Sequence, residues 1–163
     1  MNYPKTLESK ALVRFQDCDP FNHLNNGNYI DYFMNHREDM LIEHYDLNIY
    51  TMAKKLGKSW VSGSNQIAYL RPALLMESIT MESQLIKFTD SELFVEMRMY
   101  NDDKSQLKSV LWASFVHFNL LKQKREIHAE ELMELFESVH TPLSETTFEE
   151  RIKNIKSKMY HSV

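Results

Sequence analysis

Three consecutive stretches between Ser78 and Leu121 read as strands, two by alternation of apolar and polar residues and the third by an apolar run, and a succession like this restricts the chain to folds built on an antiparallel sheet. The first, about Ser78 to Phe88, places Ile79, Met81 and Leu85 on one face. Its phase then shifts to Ile86 and Phe88, the mark of a bulge. The second sets Leu93, Val95, Met97 and Met99 against Glu96 and Arg98, and Asn101-Asp102-Asp103 supplies the turn that follows. The third, about Gln106 to Leu121, is apolar on both faces. Val110, Trp112, Val116, Phe118 and Leu120 oppose Leu111, Ala113 and Phe115, so this strand belongs in the interior of the sheet.

Upstream, Ala11, Val13 and Phe15 alternate with Lys10, Leu12, Arg14 and Gln16, which predicts a first strand ending at Asp17-Cys18-Asp19-Pro20, where proline cannot extend a ladder. A polar turn, Asn22 to Gly27, leads into a helix starting near Gly27. Tyr29, Tyr32, Phe33, Met40, Leu41 and Tyr45 give that helix a broad apolar face to about Tyr45, and a loop through Gly57 is expected after it. Trp60 to Leu70 reads as a strand closed by Arg71-Pro72. Two helices end the chain. Ala129 to Val139 carries Leu132, Leu135, Phe136 and Val139 on one side. Thr146-Thr147-Phe148-Glu149 has capping-box spacing ahead of Phe148, Ile152, Ile155 and Met159. The expected class is α+β: one long helix wrapped by an antiparallel sheet of about five strands, in a single domain over 1–163 with 141–163 as a helical extension.

Composition narrows the function. A net charge of -4 and a pI near 6.0 offer no footprint for nucleic acid or an anionic membrane. Met1 to Lys10 lacks the apolar core of a signal peptide, and no stretch is long and apolar enough to span a bilayer. The one cysteine, Cys18, has no partner for an internal disulfide, so a reducing, cytoplasmic setting is expected. The histidines His36, His44, His117, His128, His140 and His161 show no metal-ligand spacing, and neither metal nor cofactor is expected.

The chemistry concentrates between Asp17 and Tyr29, where a carboxylate, an imidazole and a helix start lie within a few residues. Asp19 can act as a base or as a nucleophile, and helix-start amides can receive a developing oxyanion. Asp17 reads as a hydrogen bonder within the turn. His23 either orients substrate or Asp19, or ties the turn to a backbone carbonyl. Asn25, Asn26, Gly27, Asn28 and Tyr29 are the candidate substrate-binding positions; the asparagines also read as turn and cap residues, and Tyr29 and Phe33 as core. Cys18 reads as an inert buried thiol.

The pattern Asp-x-Asp-x-x-x-His-x-Asn-Asn-x-x-Tyr between strand and helix resembles the hotdog thioesterases related to 4-hydroxybenzoyl-CoA thioesterase and the plant acyl-ACP thioesterases. Tyr69-Leu70-Arg71-Pro72-Ala73 is similar to that family's second-strand signature, and the likeness continues through about Asn119. The resemblance implies a hotdog fold and hydrolysis of an acyl-CoA or acyl-carrier-protein thioester, with Asp19 as the catalytic carboxylate and His23 as the motif histidine. It also implies a homodimer or homotetramer with the site at the subunit interface, where Ser62, Ser64 and Asn65 are candidates to line a partner's site. This chain has Phe21 where the plant pattern has asparagine, and Met34 where many bacterial members carry glutamate. A non-catalytic acyl-binding module is the alternative. An enoyl-thioester hydratase fits less well, because Asp-x-Asn-Pro-x-His is not present.

Overall fold

The computed structural model describes residues 2–161. Its strands are β1 (Thr6–Leu12), β2 (Lys58–Tyr69), β3 (Ser78–Phe88), β4 (Glu92–Asn101), β5 (Leu107–Asn119) and a short β6 (Lys124–Arg125). The helices are α1 (Tyr29–Tyr45), α2 (Ile49–Leu56), α3 (Glu130–Val139) and α4 (Phe148–His161). All pairings are antiparallel in the order β1-β3-β4-β5-β2, with β6 added beside the end of β5. β5 is therefore interior, as its doubly apolar pattern requires, and the predicted bulge in β3 appears as a register shift between Leu85 and Lys87. This is the expected α+β hotdog arrangement.

The sheet's inner face is continuous across the ladder: Leu85 opposes Val95, Val95 opposes Ala113, and Leu93 opposes Phe115. Helix α1 packs on this face through Tyr29, Phe33, Met40 and Leu41, all buried, at the spacing that stacks side chains along one side of a helix. Hydrogen bonds between His36 and the hydroxyls of Ser9 on β1 and Ser83 on β3 tie its middle to the sheet.

The outer face carries charge. Glu96 is fully buried, and its carboxylate receives Arg98 Nη1 at 2.5 Å, Trp112 Nε1 at 2.8 Å and two Arg151 nitrogens at 2.9 and 2.8 Å. Burial pushes this carboxyl up, but the hydrogen bonds from Arg151 and Trp112 and the charges of Arg98 and Arg151 outweigh it and hold it below the usual range. Arg151 lies on α4, and Phe148 meets Trp112 edge-on at 5.5 Å, so the C-terminal helix is clamped over the outer face.

Three local expectations are corrected. β1 ends at Leu12, earlier than predicted. Val13 is buried, but Phe15 is 77% exposed inside a one-turn 3-10 helix, Phe15–Asp17, so alternation fails at its last member. The expected loop before Gly57 contains α2, capped by Asn48, whose side chain accepts from Tyr50 N and Thr51 N, and closed by Gly57 at φ 64°. The capping box lies one residue later than predicted: Thr147 accepts from Glu150 N, and Glu150 reaches back to Thr146 N.

Candidate active site

Because β1 stops at Leu12, Asp17 and Asp19 ride on an irregular hairpin rather than a strand end. Asn25 N donates to Asp17 O and Asp19 N to His23 O, each at 2.8 Å, and Cys18 bridges Leu24. Asn22 turns the tip in the left-handed region at φ 62°, a conformation asparagine tolerates. The Asp19 side chain closes the turn: Oδ1 accepts from Phe21 N at 2.8 Å and from His23 N at 3.1 Å. Among the described residues, no donor reaches Oδ2.

The hairpin is fastened to the segment after β2. Leu24 N donates to Ala73 O, Leu75 N donates to Asn22 O, and His23 bridges Leu74. Between these layers opens a cleft of about 310 Å³, with Asp19, His23, Asn26 and Tyr29 on one side and Tyr69, Arg71 and Pro72 on the other. Tyr69 spans its base by donating to Asn26 O at 2.8 Å. The Tyr29 hydroxyl accepts from Ala73 N at 3.1 Å, and burial pushes its pKa up.

Of the predicted positions, the structure thus brings Asp19, His23, Asn26 and Tyr29 together. Asn25, Gly27 and Asn28 lie outside the cleft lining. Asn25 caps the one-turn 3-10 helix Asn26–Asn28 that precedes α1. Gly27 N donates to Asn25 Oδ1 at 3.3 Å and Asn28 N to Asn25 O at 2.8 Å, so two amides expected to be open are engaged. The Asn28 side chain turns to Asp17 Oδ1 at 3.4 Å. Asp17 itself is occupied from both sides, because Tyr32 OH donates to its other oxygen at 2.6 Å. Cys18 is half-buried, with Sγ donating to Arg14 O at 3.4 Å. Burial and the charges of Asp17 and Asp19 push its thiol up, which disfavours a reactive thiolate.

Tyr69 and Arg71 are the lining residues that site reasoning from sequence missed. The signal available was the position of Tyr69-Leu70-Arg71-Pro72, where a strand must end beside the helix start. Among the described residues, no cluster of three His, Cys, Asp or Glu side chains is arranged to hold a metal ion, and no helix is long and apolar enough to cross a membrane.

Comparison with known proteins agrees with this fold. No curated protein matches the chain in sequence. Among solved structures, a probable thioesterase from Escherichia coli, YbaW, superposes with a TM-score of 0.70 at 23% identity, covering 83% of this chain and 99% of that one. The 1,4-dihydroxy-2-naphthoyl-CoA thioesterase Slr0204 from Synechocystis gives 0.73 at 11% identity, covering 82% and 95%. The Staphylococcus aureus protein SAV2348, solved in complex with CoA, gives 0.76 at 15% identity and covers 91% of each chain. These likenesses establish the shared fold. Residues 13–146 match the family model of the thioesterase-like superfamily. With most of its length inside that match, the chain belongs to the thioesterase-like superfamily, and its reaction class is thioester hydrolysis.

Proposed function

We propose that the protein hydrolyses an acyl-CoA thioester, with Asp19 as base or nucleophile. The observation that carries this reading is the asymmetry of the Asp19 carboxylate. Two backbone amides hold Oδ1, which fixes the orientation of the group, while Oδ2 meets no donor in a cleft that also contains the start of the α1 segment. An oriented carboxylate with one open oxygen can take a proton from water or attack the carbonyl itself.

The oxyanion would be received at the N-terminal end of α1, where the helix dipole favours negative charge. His23 lines the same cleft one turn from Asp19 and is proposed to position the thioester. Arg71, exposed on the opposite wall, supplies a cation for the phosphates of the carrier. The CoA bound to SAV2348 supports CoA as that carrier.

A homodimer or homotetramer completing the site across its interface is also proposed. β2 is a sheet edge whose residues Val61 to Gln66 are all exposed, and an open edge of this length is a template for pairing with a second copy. The deciding experiment is thiol release by the purified protein from acyl-CoAs of graded length and from aromatic acyl-CoAs. Release above the uncatalysed rate, lost in Asp19→Asn, supports the reading. Tight acyl-CoA binding without release would instead identify a binding module.

A further inference from the structure

Tyr69 is the last residue of β2, and it stands on a fixed base. Ser109 Oγ donates to Ala68 O at 2.8 Å on one side of it, and on the other Leu70 N and Arg71 N both donate to Lys108 O, at 2.8 and 3.1 Å. From this base the Tyr69 ring meets Tyr29 edge-on at 5.1 Å, and the hydroxyl donates to Asn26 O at 2.8 Å. The end of the edge strand is thereby joined to the turn that starts α1.

Asn26 holds a particular place in that turn. The peptide before it is pinned by its own carbonyl, Asn25 O, which accepts from Asn28 N at 2.8 Å, and the peptide after it is pinned by Tyr69 through Asn26 O. Among the described residues, no acceptor takes the Asn26 N–H, whereas the amides of Asn25, Gly27 and Asn28 are all engaged. An amide left open at a helix start belongs to the region where the backbone dipoles favour negative charge. Its support matters, because a displacement of about 1 Å in such a group can cost about a hundredfold in rate.

We propose that Tyr69 is a positioning residue for thioester hydrolysis: its phenol fixes the Asn26 turn across the base of the cleft, and with it the helix start that receives the oxyanion. The role rests on the reading of the Asp19 cleft as the thioesterase site and adds to that site a residue that need not touch the substrate. Tyr69 is 43% exposed, so water can take the place of its hydroxyl at Asn26 O. Removing the hydroxyl therefore leaves the carbonyl hydrogen-bonded and the fold intact, while the turn loses its tether to β2.

The test compares wild type, Asp19→Asn and Tyr69→Phe, the last of which keeps the ring against Tyr29 and removes only the hydroxyl. Thiol release is measured on saturated acyl-CoAs from acetyl to palmitoyl and on benzoyl-CoA, and the fastest substrate is carried through. In Tyr69→Phe, kcat is expected to fall at least about tenfold with KM within about twofold of wild type and an unchanged melting temperature. The CoA thioether of the same skeleton, which has no carbonyl, should bind the variant as tightly as wild type. A kcat within about threefold of wild type, a loss that appears in KM instead, weakened thioether binding, or a kcat loss accompanied by a lower melting temperature would each overturn the role of Tyr69, even where Asp19→Asn is inactive. Wild type that releases no thiol, or releases it no faster than Asp19→Asn, would overturn the reading of the cleft and this role with it.

Discussion

Tyr32 OH donates to Asp17 Oδ2 at 2.6 Å, and this bond separates two aspartates that stand only two residues apart. The Tyr32 phenol is pushed up to about 12 by burial and by its bond to Asp17, so it stays a donor at all ordinary pH. Asp17 is thereby committed to holding the hairpin against α1, while Asp19 keeps one oxygen open.

The two aspartates should therefore fail in different ways. Asp19→Asn retains an acceptor at Oδ1 for the Phe21 and His23 amides, so its melting temperature should stay near wild type while turnover drops about a hundredfold or more. Asp17→Ala should lower stability by about 1–3 kcal/mol through loss of the Tyr32 bond. Paired measurements of thermal melting and thiol release check both. Near-wild-type turnover in Asp19→Asn would remove the proposed base.

Glu96 gathers Arg98, Trp112 and Arg151 at one buried point. Glu96→Gln keeps the shape but takes one of two countercharges from each guanidinium, leaving Arg98 with Glu82 and Arg151 with Glu145, and should cost about 3 kcal/mol in denaturant unfolding. Arg151→Ala should also loosen α4, seen as faster amide exchange across that helix, with turnover little changed.

The buried histidines make stability depend on mild acid. Trp60 Nε1 donates to His128 Nε2 at 3.0 Å, which leaves the proton on Nδ1, directed at Thr89 O. Burial, reinforced by neighbouring His117, lowers His128 to about 4, and burial lowers His36 to about 4 against the opposing charges of Asp39 and Glu82. The unfolded chain takes up these protons near pH 6.5, whereas the native state resists until about pH 4. The stability they contribute is complete above about pH 6.5 and declines as pH falls toward 4, by up to about 3 kcal/mol for each residue. Melting temperatures recorded between pH 7.5 and 4.5 test this, and a flat profile contradicts it.

The open β2 edge predicts self-association. Light scattering should give a mass of at least two chains, and Val61→Lys, placed mid-edge, should shift the protein toward monomer. If thioester hydrolysis needs a site built by two copies, turnover per chain should fall in parallel.

Legibility from the sequence followed how local the forces were. β3, β4, β5 and α1 were readable because each buries a regular stripe, and periodicity reports burial directly. β1 was misread because Phe15 continues the alternation in sequence but not in space. α2 was missed because its start depends on one capping side chain, Asn48, rather than on a long pattern. In the candidate site, the hairpin residues were visible as a polar cluster. The opposite wall was not, because Tyr69 and Arg71 reach the cleft only through the β2 and β5 pairing and the return of the chain at Ala73. The engaged amides of Gly27 and Asn28 were likewise invisible, since cap geometry settles which donor Asn25 takes.

The fastening of Asn22, His23 and Leu24 to Leu75, Leu74 and Ala73 means that the carboxylate-bearing turn and the wall facing it move as one piece. Changes in the connection between β2 and β3 would then reshape what fits beside Asp19 and shift its bearing at once, so selectivity and rate in this protein would be difficult to alter one without the other.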